Sequence, residues 1–206
     1  MFESAERVHK IDKATFKAEE PKLREALLDA QFDLVERKSF AVLILLAGID
    51  GAGKSGALAR LDEWLDPRHL HTQAFDGPND EERARPRLWR FWLNLPAKGT
   101  IGIFLGSWYR DALVQRVLGG GDEGQLEREL AAISRFETML AAEGVLIIKL
   151  WLHLSRSEQK KRLAQIERMP GGGRHIVAYR LLRKHHRLAM ATIQKSGRLT
   201  SSGDAW

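Results

Sequence analysis

Gly48 to Ser55, GIDGAGKS, satisfies the phosphate-cradling pattern G-x-x-x-x-G-K-[ST], the Walker A motif, in full. Glycines let the backbone curl so that successive N–H groups, those of Gly48, Gly51, Ala52 and Gly53 among them, face an anion. The N-terminus of a following helix adds partial positive charge. In this arrangement Lys54 reaches the terminal phosphates and the Ser55 hydroxyl faces magnesium (Mg2+). Asp50 lies inside the loop, where a carboxylate opposes phosphate unless a cation intervenes. It therefore holds metal or orients an attacking group, or it is a turn-former that caps the loop. A glycine-rich turn without a ligand is the alternative to the whole motif. The complete pattern between a buried strand and a helix argues against it.

Other residues could meet polyanions. Arg83, Arg87 and Arg90 stand at spacings of four and three, which predicts one cationic helix face. Such a face grips phosphate, or pairs on the surface with Asp80, Glu81 and Glu82. Arg180, Arg183, Lys184 and Arg187 repeat as i, i+3, i+4, i+7, a stripe that can track a phosphate chain. Lys160, Lys161 and Arg168 belong to the helix before it, and PGGG at 170–173 reads as a hinge between the two. Through Ser155 the chain has 21 basic and 24 acidic residues, a net −3; from Arg156 onward it has 12 and 3, a net +9. That asymmetry points to nucleic acid, an acidic membrane surface or a chain of phosphates. Zinc chemistry is not expected: there is no cysteine, and His185 and His186 are adjacent, so they diverge on a helix. Ser107 lacks the G-x-S-x-G context of a hydrolase nucleophile.

The elements that must position these groups follow from periodicity. Leu23, Leu27, Leu28, Phe32 and Val35 predict an amphipathic helix over 20–38. FAVLILLAG, 40–48, reads as a strand buried on both faces. A helix is predicted over 53–65, a strand over 70–75, and a loop then a helix with Pro86 near its first turns. Next come a buried strand at 101–105, a helix at 108–118, a long helix at 125–142 and another buried strand at 145–154. Ser155 before Glu158 is a capping signature for a further helix, and 176–195 reads as a final basic helix. Strands alternating with helices predict an α/β fold of three layers, a mainly parallel sheet covered by helices on both faces.

At 206 residues and 44% hydrophobic content one substantial domain is expected. No apolar run approaches the ~20 residues of a membrane span, and the charged start lacks the apolar stretch of a secretory signal. A cytoplasmic protein with no membrane partner is the expectation.

The chain also resembles the family-2 polyphosphate kinases. The resemblance rests on GIDGAGKSG, on ERARPRLWRFWLNLPAKGTIGIFLGSWYRDALVQRVLG, on FETMLAAEGVLIIKLWLHLSRSEQKKRL and on TSSGDAW, in order, and covers nearly everything from Phe40 onward. It implies a P-loop kinase fold with a helical lid, and magnesium-dependent phosphoryl transfer between inorganic polyphosphate and a nucleotide. It also implies an N-terminal helical segment over 1–39, a P-loop core over 40–155 and a basic lid over 156–206. Asp76, Arg83 and Arg87 would lie near the acceptor nucleotide (AMP or ADP), and Glu137 would occupy the place of an active-site glutamate, although on its own it reads as an ordinary exposed helix charge. Lys160, Lys161, Arg180, Arg183, Lys184 and Arg187 would line the lid against polyphosphate.

One departure stands out. Where catalytic members read Asp-Arg-Ser-Trp-Tyr, this chain reads Leu105, Gly106, Ser107, Trp108, Tyr109. A GSWY variant is similar to the amino-terminal copy of two-domain polyphosphate:AMP phosphotransferases, whose second copy is understood to carry the chemistry. Losing a metal-holding carboxylate costs several kcal/mol of transition-state stabilisation, roughly a thousandfold in rate. Asp50, Asp76 and Glu137 could compensate only if the fold brings them close. Weak or absent conversion of polyphosphate and AMP to ADP is therefore expected from this domain alone, with a second homologous domain or a homo-oligomer as partner. The competing readings are a polyphosphate-binding scaffold, an ATP-dependent nucleotide or small-metabolite kinase, and nucleic-acid binding, for which no motif speaks.

Overall fold

A computed structural model describes residues 11–118 and 122–168. The described residues divide into two compact units, residues 11–107 with 141–153, and residues 108–118 and 122–140 with 154–168.

The first unit is built on a parallel sheet. β1 (Ala41–Gly48), β2 (Leu70–Ala74), β3 (Ile101–Leu105) and β4 (Val145–Leu152) are ordered β2-β3-β1-β4. The aliphatic runs that predict β1 and β3 are the reason for those two, with Leu43, Leu46 and Ile103 completely buried. Burying such a side chain contributes ~1.5–3 kcal/mol relative to leaving it exposed. β4, expected as a buried strand, is an edge strand that leaves Leu146, Ile148 and Leu150 exposed. Leu46 pairs with Leu105 and Leu105 with Ala74, so the C-terminal ends of β1, β2 and β3 share one edge of the sheet. In open α/β sheets ligands bind in the crevice outside that edge.

α1 (Lys13–Arg37) opens on Asp12, whose carboxylate accepts from the amides of Ala14 and Thr15 at 2.9 Å. It ends at Lys38, which takes the left-handed φ of 49°. The helix predicted over 20–38 thus begins earlier, with Pro21 inside it. The helix packs through Leu27 and Leu34 on Ile44, Leu46, Ile101 and Ile103, whereas Leu23 and Phe32 of the expected apolar stripe are exposed. Gln31, fully buried, donates to the Asp66 carbonyl at 3.0 Å and accepts from the Asp66 amide at 2.8 Å. These two bonds fasten α1 to the chain between α2 (Lys54–Trp64) and β2.

The segment between β2 and β3 differs from expectation. Instead of one helix bearing Arg83, Arg87 and Arg90 on a face, it forms two single turns, α3 (Asp80–Arg83) and α4 (Trp89–Trp92). A capping box at Asn79, reciprocated by Glu82, starts α3. Pro86 has no amide to donate and disfavours helical backbone before it, so the turns stay separate.

The second unit contains α5 (Tyr109–Leu118), α6 (Glu123–Ala142) and α7 (Arg156–Glu167). Leu126, Leu130, Ile133, Phe136, Glu137 and Leu140 form the buried stripe of α6. Ser155 caps α7 as its sequence signature predicts, accepting from the Glu158 amide at 3.4 Å. The expected hinge at 170–173, the basic helix at 176–195 and Arg180, Arg183, Lys184 and Arg187 lie outside the described residues. No helix among the described residues is long and apolar enough to cross a membrane.

Candidate functional site

The glycine loop leaves β1 through a backbone that only glycine tolerates. Gly48 has φ 147°, and a Cβ there would lie 2.2 Å from the Leu152 carbonyl oxygen on β4. Gly51 and Gly53 take φ values of 80° and 92°, in the left-handed region. The loop is tied down by Ile49 donating to the Leu152 carbonyl and Ala52 donating to the Ile49 carbonyl, both at 3.2 Å. α2 then starts at Lys54 with no side-chain cap from Gly53, which leaves its first turn to a ligand anion.

Lys54 folds back over this loop. Its Nζ donates to the carbonyls of Gly48 at 2.8 Å and Ile49 at 3.0 Å, and stands 3.6 Å from the Asp50 carboxylate. Burial pushes the Lys54 ammonium below the usual lysine range, and the neighbouring Asp50 charge partly opposes that shift. The ammonium is thus held over the loop by two carbonyls and a carboxylate.

Oxygen donors for a magnesium ion on this loop are the Asp50 carboxylate and the Ser55 hydroxyl, which is exposed at the start of α2. Among the described residues no three His, Cys, Asp or Glu side chains cluster as a metal cage. That donor set fits an ion whose remaining ligands are phosphate oxygens and water, the usual manner of magnesium, and does not fit a cage built by protein alone.

Beside the loop, β3 ends in Leu105 and Gly106. Leu105 packs against the core that contains Ile44, Leu46 and Ile103, and its carbonyl accepts from the Phe75 amide at 2.9 Å. Gly106 has φ 83°, donates to the Leu46 carbonyl at 3.3 Å, and would place a Cβ 2.9 Å from the Phe75 carbonyl oxygen. The end of β3 therefore offers aliphatic surface and bare backbone at the same sheet edge as the cradle. Ser107, which follows, is buried.

On the side of β2, Asp76 is exposed. Arg83 is exposed too and donates to Asp80 at 2.7 Å, the surface pairing that is the alternative to phosphate contact. Arg87 is half-buried. Arg85 lies over the Trp89 ring, its guanidinium 5.1 Å from the centroid, which gives that tryptophan a packing role. Trp92 is exposed.

Sequence reasoning missed the weight of Arg90. Only 8% exposed, it donates through Nη1 to the Asp76 carbonyl at 3.0 Å and lies 3.3 Å from the Glu82 carboxylate through Nε. The available signal was a lone cation inside the aromatic run LWRFW, since a charge so placed must find partners when buried.

Within the second unit Glu137 is buried, not the exposed helix charge that it reads as in isolation, because two ring donors take up its carboxylate. A single oxygen, Oε1, accepts from Trp108 Nε1 at 3.0 Å and from Tyr109 Oη at 2.7 Å, while Trp108 meets Phe136 edge to face at 5.2 Å. This arrangement fixes the residues that follow Ser107 at the start of α5. Lys160 is exposed on α7, and Lys161 donates to Glu158 at 2.7 Å.

A family model for polyphosphate kinase 2 (PPK2) matches residues 10–176. A polyphosphate:AMP phosphotransferase of Pseudomonas aeruginosa is 49% identical over 170 residues, 82% of this chain and 34% of that protein. One from Pseudomonas syringae pv. tomato is 46% identical over 170 residues, with the same two shares. Among solved structures, polyphosphate kinase 2 from Arthrobacter aurescens TC1 superposes with a TM-score of 0.86 at 32% identity, covering 94% of this chain and 70% of that one. The chain spans about a third of the length of each of these two curated relatives.

Proposed function

Since the chain belongs to the polyphosphate kinase 2 family, we propose that it binds inorganic polyphosphate and an AMP or ADP acceptor, and transfers phosphoryl groups weakly or not at all when alone. One juxtaposition carries this reading. A complete cradle stands at the same sheet edge as a β3 terminus reduced to Leu105 and Gly106.

The roles follow from the geometry. The loop amides and the first turn of α2 hold terminal phosphate oxygens, and Lys54 exchanges the Gly48 and Ile49 carbonyls for phosphate. Asp50 keeps the ammonium directed at the loop and, with Ser55, would hold magnesium. Bound there, magnesium neutralises charge developing on the transferred phosphoryl group. Leu105 and Gly106 would add no ligand from the end of β3, so positioning survives while charge neutralisation is incomplete. Asp76, Arg83 and Arg87 are the acceptor-side contacts in this reading. Lys160, Lys161, Arg180, Arg183, Lys184 and Arg187 are the contacts to the polyphosphate chain.

The same β3 terminus favours a second reading, a non-catalytic polyphosphate-binding copy whose chemistry is supplied by a homologous domain or another subunit. The test common to both is fluorescence anisotropy with labelled polyphosphate across a salt series. Affinity should fall linearly in log salt. It should weaken in Lys54→Ala and again when Arg183, Lys184 and Arg187 are neutralised together. An affinity indifferent to salt and to both variants would contradict the proposal.

A further inference from the structure

We propose that Arg90 is the positioning residue of the acceptor-side loop, setting where Asp76 and Arg83 stand at the sheet edge; the identity of that ligand rests on the function proposed above. The guanidinium reaches both ends of one loop. At the start, Nη1 donates to the Asp76 carbonyl at 3.0 Å; at the end, Nε makes an ion pair with the Glu82 carboxylate at 3.3 Å, without a hydrogen bond. Glu82 in turn accepts from the Asn79 amide at 2.8 Å, while its own amide donates to the Asn79 side chain at 2.8 Å. One planar cation thus joins Asp76, Asn79 and Glu82, and Arg83 follows directly.

The cation also lies against a pair of rings that touch each other. It lies 5.2 Å from the Phe75 ring centroid and 5.6 Å from that of Phe91, whose rings are 4.6 Å apart. Phe75 packs in turn on Phe104 of β3 at 4.8 Å. The loop is thereby referenced to the strand that ends beside the cradle. A lysine would supply a point charge without the fork or the flat face, so it could hold one of these partners but not the set. Stability alone does not account for the arrangement, because an apolar side chain of similar volume avoids the desolvation that a buried guanidinium suffers. What the guanidinium adds is a fixed spacing between two exposed side chains.

The test compares the full chain with Arg90→Met, Arg90→Lys and Glu82→Gln. Glu82→Gln removes the ion pair without touching the aromatic packing. Amide hydrogen exchange of residues 76–84 is measured against that of β1 and β3, and affinities for AMP and polyphosphate are measured separately. The expected result is faster exchange confined to 76–84 in all three variants. AMP binding should weaken ~10-fold in Arg90→Met and less in Arg90→Lys and Glu82→Gln, with polyphosphate affinity unchanged. Exchange rising equally through β1 and β3 would overturn the proposal, making Arg90 a general core strut. So would unchanged loop exchange. If the unaltered chain binds no AMP while loop exchange still rises selectively, the positioning role stands and the acceptor assignment fails.

Discussion

The carbonyl oxygen of Phe75 lies 2.9 Å from where a Cβ on Gly106 would stand, and Gly106 has a φ of 83°. Any side chain at 106 meets backbone there, not a yielding side chain. The bare terminus of β3 is therefore built into the path of the chain, since the Phe75 amide is also bound to the Leu105 carbonyl at 2.9 Å.

Restoring an arginine at 106 should accordingly fail as a repair. Gly106→Arg is expected to destabilise the chain by ~1–3 kcal/mol, from the left-handed backbone and the displaced Phe75 carbonyl. Urea denaturation measures this. A stability equal to that of the unaltered chain would show that β3 relaxes freely at its end.

Lys54 should make polyphosphate binding depend on pH. Burial holds its pKa below the usual lysine value, and bound phosphate favours the charged form and raises it. Binding then takes up protons in the alkaline range, and affinity falls as pH rises through the lowered pKa of the free chain. The stability of the free chain moves the other way. The unfolded state binds more protons in that window, so stability rises with pH between the folded and unfolded pKa values. Titration calorimetry in two buffers of different ionisation enthalpy detects the uptake, and Lys54→Met should abolish it.

Glu137 should report on the start of α5. Glu137→Ala strips the acceptor from Trp108 Nε1 and Tyr109 Oη at once, with an expected cost of ~2–4 kcal/mol. Near-ultraviolet circular dichroism should lose signal from the freed tryptophan. Glu137→Gln, which keeps an acceptor oxygen, should recover most of the stability.

Much of this was legible because it is local. The glycines at 48, 51 and 53 announce a backbone that other residues resist, and β3 falls at Ile101–Leu105 as its aliphatic run predicts. The boundaries that moved have local competitors. Pro86 and the Asn79 capping box cut one expected helix into two turns, and the Asp12 cap extends α1 past the point where its apolar spacing fades. The contacts of Arg90 and Gln31 were not legible. Each depends on residues brought together only by the fold, Asp76 and Glu82 for one and Asp66 for the other. Spacing of three and four placed Arg90 on a helix face, whereas packing placed it under a loop.

ADP formation from AMP, polyphosphate and magnesium, followed for the unaltered chain beside Lys54→Ala and Leu105→Asp, tests the central claim most directly. ADP at or barely above the Lys54→Ala background is expected from a chain that nonetheless binds polyphosphate. Turnover far above that background, abolished by Lys54→Ala and not raised by Leu105→Asp, would contradict the proposal and would mean that another residue supplies the ligand missing at Leu105.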